Sequence, residues 1–157
     1  HLRRVGREGK RGAEAVNATI EKFGYPASLV AEYDHWLVLV RPAQVTLGSL
    51  VLAAKSDATA YGALPAAAFA EQGGVVADIE RALGTFVGFE KINYLMLMMV
   101  DPHVHFHVLP RYADPRTWNG REFPDQGWPG PPQLSASITL NDAEMNEIST
   151  KLGKNLR

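Results

Sequence analysis

One seven-residue stretch constrains the fold of this chain more than any other. Residues 103–109 read HVHFHVL, with a histidine at every second position and an apolar residue in each gap. In a β-strand, residues i, i+2 and i+4 point to the same face of the sheet. The stretch therefore predicts a strand with three imidazoles on one face and apolar side chains packed into the core on the other. The three imidazoles belong to His103, His105 and His107.

Composition limits the classes of protein to which the chain can belong. Its 157 residues suit one domain with a hydrophobic core, and 16 basic residues nearly balance 17 acidic ones. The absence of cysteine excludes a disulfide framework, a thiolate zinc site and a thiol nucleophile. No apolar run reaches the roughly 18 residues of a membrane span. We therefore expect a cytoplasmic protein with no membrane partner.

Basic residues are concentrated at the N-terminus. Residues 1–11 read HLRRVGREGKR and carry five Arg or Lys against one Glu. Such an arm can touch phosphate or a membrane surface, but a solvated, poorly ordered terminus is the simpler interpretation. The arm is too short and too poor in aromatic residues for nucleic-acid recognition. We interpret residues 1–16 as a flexible arm and expect no nucleic-acid partner.

The segment 17–112 has the pattern of an α+β domain. Its predicted helices span 17–24 and 65–87, and its predicted strands span 28–33, 36–41, 48–54, 91–99 and 103–109. A hairpin is predicted at Asp34-His35, and Gly73-Gly74 is a candidate kink in the long helix. Because one main helix separates the third strand from the fourth, we predict a largely antiparallel five-stranded sheet.

Residues 113–157 differ in composition from the rest of the chain. Residues 113–133 hold five of the ten prolines together with Trp118 and Trp128, which predicts a long irregular loop. The tryptophans either anchor this loop to the domain or close over a base. From Asn141 the chain has a helical pattern, and Glu144 completes a capping box. We predict that the loop and the C-terminal helix pack on the same domain.

Three interpretations of the same-face imidazoles stay open on the residues alone. The first is structural, with three hydrogen-bonded histidines on a sheet face. The second is a metal site, because His-x-His on a strand suits zinc, copper, iron or nickel. His35, His1 or a remote carboxylate would then complete the ligand set. The third is phosphate chemistry, in which one imidazole attacks phosphorus and its neighbours bind the charged oxygens.

The motif resembles the signature of the histidine-triad proteins. That signature is His-φ-His-φ-His-φ-φ, where φ is hydrophobic, and residues 103–109 match it throughout. The Pro110-Arg111-Tyr112 that follows is similar to the usual continuation. The KINY at 91–94 resembles a bacterial branch in which Lys-x-Asn-Tyr leads to a Pro-His pair. The resemblance covers residues 28–112, in the family's order of strands and helix.

The resemblance implies the histidine-triad fold and the hydrolysis or transfer of nucleotidyl groups. The implied substrates are dinucleoside polyphosphates or nucleoside phosphoramidates, cleaved through a covalent nucleotidyl-histidine. His105 is the implied nucleophile, and His103 and His107 are implied to orient it and bind phosphate oxygens. Histidine rather than glutamine at position 107 favours hydrolysis. No cofactor is implied beyond magnesium bound with substrate. A homodimer is implied by analogy, pairing through the 65–87 helix and the fourth strand.

Two departures from the family pattern bear on substrate binding. Many relatives carry Gly-His at the start of the third strand, a fourth histidine that supports the triad from behind, where this chain has Gly48-Ser49. We interpret Ser49 as a strand residue that is able to hydrogen-bond His103. Relatives also carry Gly-Asn or Gly-Gln before the triad, where this chain has Met98-Met99, for which core packing is the simplest interpretation.

Three residues are predicted to bind substrate on the basis of the resemblance and its departures. Asn93 is able to replace the missing amide or to pair a neighbouring backbone group, and Arg111 is able to meet phosphate charge or to form an outward salt bridge. The predicted substrate-binding residues are Ser49, Asn93 and Arg111. Two other functions stay open: a nucleotide-binding module that has lost turnover, and a metal-binding protein with the three histidines as ligands.

Overall fold

The centre of the fold is a five-stranded antiparallel sheet. The computed structural model describes residues 16–154, so the predicted N-terminal arm lies, apart from Val16, outside the described residues. The five strands, in their order across the sheet, are β1 (Leu29–Glu32), β2 (Trp36–Val40), β4 (Leu50–Ala54), β6 (His105–Arg111) and β5 (Lys91–Leu95). The predicted α+β class and antiparallel sheet are confirmed.

Three helices and four short strands complete the described part of the chain. The helices are α1 (Ala18–Lys22), α2 (Ala66–Val87) and α3 (Asp142–Gly153), and a 3-10 turn spans Tyr61–Ala63. The short strands pair as β3 (Ala43–Gln44) with β9 (Ile138–Thr139), and as β7 (Arg116–Trp118) with β8 (Arg121–Phe123). No helix within residues 16–154 is long and apolar enough to cross a membrane.

Both faces of the sheet are covered, because β2 and β4 are apolar along their whole length. All five residues of each strand are buried. Alternate side chains therefore enter two separate cores. One core includes residues of α2 and α3, and the other includes residues of α1 and the Phe23 that follows it. We call the second side of the sheet the α1 face; its strand residues are Leu29, Leu37, Leu39, Val51 and Ala53.

The register of β4 and β6 decides which face the histidines occupy. His105 is paired with Ala53, and His107 is paired with Val51. Because directly paired residues of an antiparallel ladder point to the same face, both imidazoles lie on the α1 face. The apolar residues between and beside them enter the core on the α2 side. The alternation predicted from the motif is therefore confirmed for His105 and His107.

The strand predicted over 103–109 is displaced towards the C-terminus, since β6 spans His105–Arg111. Its partner β4 ends at Ala54. No strand residue therefore remains for His103 to pair with, and His103 precedes the strand.

The strand predicted over 91–99 is too long, because β5 ends at Leu95. Met98 has a φ of +51°, a left-handed conformation that interrupts a strand. Residues 96–104 therefore join the two strands, and we call them the β5–β6 connection. The predicted core packing is found for Met98, which is half-buried and packs against the main core. The prediction is wrong for Met99, which is 86% exposed.

Helix α2 is continuous through the Gly73-Gly74 pair, so the helix is not interrupted where a kink was considered. A Cβ atom at either glycine would meet no atom within 4 Å. The buried stripe on both sides of the pair holds the helix on the sheet and outweighs the weak helix propensity of glycine. This stripe consists of Ala68, Val75, Ile79, Ala82, Leu83 and Val87.

The residues 113–133 contain a hairpin that the loop interpretation missed. Strands β7 and β8 pair across Asn119-Gly120, where both residues have positive φ, 51° and 75°. An Asn-Gly pair with this geometry is a strong hairpin signal, and it is present in the sequence. Trp118 is 9% exposed in the main core, so this tryptophan anchors the segment to the domain.

The helix ends follow the capping signals of the sequence. The Asn17 side chain accepts a hydrogen bond from the Ile20 N–H at 3.0 Å, although α1 ends at Lys22 rather than near Gly24. Asn141 and Glu144 form both hydrogen bonds of a capping box at the start of α3. Helix α3 packs against β1, β2 and α2.

A matched pair of glycine substitutions tests how the fold uses backbone freedom. Gly48 has a φ of +92°, and a Cβ atom there would lie 3.0 Å from Leu83 Cδ2. We expect Gly48→Ala to lower the free energy of unfolding by roughly 1–3 kcal/mol. Gly73→Ala, in the open interior of α2, should raise it by about 0.5–1 kcal/mol. Urea unfolding checks both, and equal effects would contradict the assignment.

Candidate active site

The two ring nitrogens of His105 differ, because Nδ1 forms a hydrogen bond and Nε2 keeps its lone pair. It is 1% exposed and lies beside the Phe23 ring at a centroid distance of 5.6 Å. Its Nδ1 lies 2.7 Å from the backbone carbonyl oxygen of His103. Because a carbonyl oxygen only accepts hydrogen bonds, Nδ1 carries the proton. The Nε2 atom of His105 is therefore left with a lone pair.

His107 is held in the opposite tautomer. Its ring is 84° from the His105 ring at a centroid distance of 5.0 Å, with Phe23 edge-on at 5.7 Å. The Arg41 Nε–H donates to His107 Nδ1 at 3.2 Å. Because an arginine side chain only donates, Nδ1 of His107 carries no proton. The proton of neutral His107 therefore lies on Nε2, which is a donor.

Burial and neighbouring charges keep His107 neutral. Burial is the largest cause that lowers its pKa to about 4, and the positive charge of Arg41 is the next. His105 and Lys22 lower the pKa further, while Asp101 opposes the shift. At neutral pH the ring is therefore an uncharged hydrogen-bond donor.

His103 is held by α1 rather than by the sheet. Its Nδ1 lies 2.9 Å from Thr19 Oγ1, and the ring is only partly buried. Because Thr19 belongs to α1, the ring of His103 is directed towards the same helix that covers the other two imidazoles. The structure thus brings together the three predicted catalytic histidines, although only two of them lie on the strand.

A cavity of about 360 Å³ opens beside His107 and is lined by two cationic side chains. Lys22 Nζ lies 2.8 Å from Asp101 Oδ1, which ties the end of α1 to the β5–β6 connection. Arg41 is half-buried and also donates to the Ala43 carbonyl oxygen. Positive charge next to an imidazole N–H donor suits a phosphate-bearing ligand. The lining residues are Lys22, Phe23, Arg41, Pro42, Ala43, Val100, Asp101 and His107.

Ser49 does not form the hydrogen bond to His103 that the sequence suggested. Its Oγ donates to the Thr46 carbonyl oxygen at 2.7 Å and accepts from the Thr46 N–H at 3.0 Å. Ser49 is fully buried and precedes β4, which begins at Leu50 rather than at residue 48. These bonds close the turn before β4, and the substrate-binding role of Ser49 stays a prediction.

Asn93 and Arg111 form a buried cluster at the far end of β6. Arg111 donates two hydrogen bonds to Asp125, at 2.7 and 2.9 Å, and one to Asn93 Oδ1 at 2.8 Å. It also donates to the Gly130 carbonyl oxygen at 3.0 Å. Four residues of strand, roughly 13 Å, separate Arg111 from His107. The cluster fastens residues 125–130 to the sheet, and the substrate-binding role of its members stays a prediction.

The sequence did not indicate three of the residues that hold the imidazoles. Thr19 lies on the short helix α1 and Phe23 directly follows it, both at least 80 residues before the motif, and Arg41 ends an apolar run. Only the fold brings them to His103, His105 and His107. Among residues 16–154, no three His, Asp or Glu side chains are arranged to hold a metal ion.

We expect His107 to make the stability of the chain depend on pH. In the unfolded chain its imidazole binds a proton near pH 6.5, whereas the folded chain resists protonation until about pH 4. The unfolded state therefore holds more protons in this window, and falling pH favours unfolding by up to roughly 3 kcal/mol. Urea unfolding of the wild type and His107→Gln at several pH values checks this. Equal pH slopes in the two chains would contradict it.

The Arg111 cluster predicts a large effect from one carboxylate. Asp125→Ala leaves a buried guanidinium without its charge partner, and we expect a loss of roughly 3–5 kcal/mol. Asn93→Ala removes one neutral acceptor from the same guanidinium and should cost about 1–2 kcal/mol. Urea unfolding compares the two variants. If Asp125→Ala costs no more than Asn93→Ala, the buried ion pair does not fasten this segment.

The sequence of the chain matches neither a protein-family model nor a curated protein. Solved structures do match it. A histidine triad protein from Sinorhizobium meliloti has a TM-score of 0.68 and 19% identity, covering 89% of this chain and 95% of that chain. A histidine triad protein from Bradyrhizobium japonicum has a TM-score of 0.65 and 16% identity, covering 90% and 97%.

A third similar structure is that of the diadenosine triphosphate hydrolase from Plasmodium falciparum. Its TM-score is 0.58 at 11% identity, covering 82% of this chain and 76% of that chain. At these identities the likeness concerns the backbone arrangement. The fold implied by the histidine motif is confirmed, and the chain has the fold of the histidine-triad proteins.

Proposed function

We propose that the chain is a nucleotidyl hydrolase that acts through a covalent adduct on His105. The proposed substrates are dinucleoside polyphosphates, cleaved at a P–O–P linkage, or nucleoside phosphoramidates, cleaved at a P–N bond. The observation that carries the proposal is the tautomer of His105. Its Nδ1–H is committed to the His103 carbonyl oxygen, which leaves the Nε2 lone pair for attack on phosphorus.

The neighbours of His105 supply what such an attack requires. The ring centroid of His107 lies 5.0 Å from that of His105. The Nε2–H of His107 is a donor that suits a non-bridging phosphate oxygen. Arg41, together with Lys22 in its ion pair with Asp101, lines the adjoining cavity, where non-bridging phosphate oxygens would be bound. The His103 carbonyl oxygen stabilises the positive ring that forms when His105 Nε2 becomes bonded to phosphorus.

The fold comparison is compatible with this chemistry. One of the similar structures is named a diadenosine triphosphate hydrolase, and that activity belongs to the Plasmodium protein. Because its identity to this chain is 11%, the transfer of the activity is our proposal.

A second candidate function is nucleotide binding without turnover. It is favoured by the burial of the nucleophile, because His105 is 1% exposed beneath Phe23. This burial restricts the approach of a substrate to the ring. The burial of the nucleophile and the missing fourth histidine both fit a module that binds an AMP-like ligand.

We further propose the setting in which the enzyme acts. Magnesium enters only with the substrate, and the chain pairs as a homodimer through α2 and β5. The cytoplasm is the proposed location, with no nucleic-acid or membrane partner. Size-exclusion chromatography with light scattering tests the dimer directly.

We expect His105→Ala to abolish turnover while AMP still binds. The assay follows AMP release from diadenosine tetraphosphate and from adenosine 5′-phosphoramidate. Loss of the nucleophile should cost at least about 10³-fold in kcat. Intact-mass measurement after a denaturing quench at alkaline pH, where the acid-labile P–N bond persists, should show one nucleotidyl group on the wild type and none on the variant.

His35→Ala is the matched control for this experiment. His35 lies in the β1–β2 turn and reaches Glu71 through its backbone N–H, so turnover should be retained. If His105→Ala retains turnover, the nucleophile is assigned wrongly. If the wild type binds AMP but releases none from either substrate, the binding module is the correct function.

A further inference from the structure

The three imidazoles of the site differ in the chemical kind of partner at Nδ1. His105 faces a carbonyl oxygen, which only accepts a hydrogen bond. His107 faces the Nε–H of Arg41, which only donates. His103 faces the hydroxyl group of Thr19, which both donates and accepts. The partner therefore limits which protonation states each imidazole can adopt.

Arg41 prevents His107 from carrying a proton on Nδ1. Protonation of that nitrogen would set an imidazolium N–H against a guanidinium N–H, with no acceptor between them. The titratable and charged groups that face His107 are Arg41 directly after β2, Lys22 on α1, His105 on its own strand and Asp101 on the β5–β6 connection. Three of these four groups oppose a positive charge on His107, and burial opposes it as well.

Thr19 allows His103 both protonation states. When His103 Nδ1 carries a proton, the hydroxyl oxygen of Thr19 accepts it, and when Nδ1 is bare, the hydroxyl donates. His103 is also less buried than His105 and His107, so it can exchange protons with solvent. Its carbonyl oxygen contacts the His105 ring, which places the residue next to the nucleophile.

We propose that His103, and not His107, passes the proton to the leaving group, and that Arg41 is a positioning residue that keeps His107 a fixed donor to a phosphate oxygen. This assignment rests on the proposed nucleotidyl transfer. It separates the two flanking histidines, to which the family resemblance gives the same task.

The proton balance of the two half-reactions follows from this division. His105 Nε2 attacks phosphorus and forms a P–N bond, while the bond from phosphorus to the leaving group breaks. The electron pair of that bond stays on the leaving oxygen or nitrogen, which takes a proton from protonated His103. In the second half-reaction water attacks phosphorus and gives a proton to His103. The P–N bond then breaks, and its electron pair returns to His105 Nε2.

Two glutamine substitutions separate a proton carrier from a fixed donor. Glutamine keeps an N–H donor but cannot release a proton at neutral pH. The probes are adenosine 5′-phosphoramidate, whose leaving amine needs a proton, and the p-nitrophenyl ester of AMP, whose leaving group does not. Release in the first turnover is measured, so that adduct hydrolysis does not limit the rate.

We expect His103→Gln to lower the rate of the first turnover by about 10²- to 10⁴-fold with the phosphoramidate. With the aryl ester the rate should fall by less than about tenfold. His107→Gln should lower both rates by one common factor. The assignment is overturned if His107→Gln slows only the reaction of the phosphoramidate. It is also overturned if His103→Gln slows the reactions of both probes equally. A wild type that is inactive on both probes overturns the proposed function itself.

The role of Arg41 is tested without turnover, by the ¹⁵N resonances of the histidine rings. In the wild type, His107 Nδ1 should stay unprotonated from neutral pH to about pH 5, above the folded pKa of about 4. Arg41→Met should raise the pKa of His107 and move proton density onto Nδ1. Lys22→Met removes a charge that makes no hydrogen bond to the ring, so it should leave Nδ1 unprotonated.

A wild-type His107 that carries its proton on Nδ1 contradicts the role of Arg41, whether or not the chain is active. Equal changes in the ¹⁵N resonances of His107 in Arg41→Met and Lys22→Met also contradict it, because Arg41 would then act only through its charge, as Lys22 does. Arg121→Met, which removes a partly exposed arginine on β8 that pairs with Glu144, controls for a general change in net charge.

Discussion

Buried imidazoles need hydrogen-bond partners, and this requirement determines the arrangement of the site. His105 and His107 lie almost completely beneath α1 and Phe23. In the part of the chain that the structure describes, no buried side-chain nitrogen or oxygen lacks a partner. The partners of His105 and His107 at Nδ1 each have a fixed polarity, so satisfying these two rings also fixes the location of the proton on each. Burial thus gives otherwise similar histidines different abilities to donate or accept a hydrogen bond.

The sheet makes this burial possible. Strands β2 and β4 are apolar on both faces, so helices cover both sides and β6 lies within the sheet, between β4 and β5. The register with β4 directs His105 and His107 to the face of the smaller helix α1. A shift of one residue would exchange these imidazoles for Phe106 and Val108. The identity of the face therefore depends on pairing between residues far apart in sequence.

The sequence predicted the features that depend on local signals and missed those that depend on distant contacts. Alternation along 103–109 predicted the shared face, and Asn141 with Glu144 predicted the cap of α3. The apolar run at 94–100 gave no sign that Met98 adopts a positive φ and ends the strand. Asn119-Gly120 did carry a hairpin signal, which the prolines around it obscured. Arg41 lies 66 residues from His107, and no local pattern joins the two.

Arg41 also changes the meaning of the departure at Gly48-Ser49. In the family resemblance, a fourth histidine at that position supports the triad from behind, and here Ser49 bonds to Thr46 instead. Support for the third imidazole comes from the guanidinium of Arg41, which follows the end of β2. A guanidinium only donates hydrogen bonds, so Arg41 leaves no place for a second proton at Nδ1 of His107. In our proposal the histidine that faces a hydroxyl group therefore performs the proton exchange.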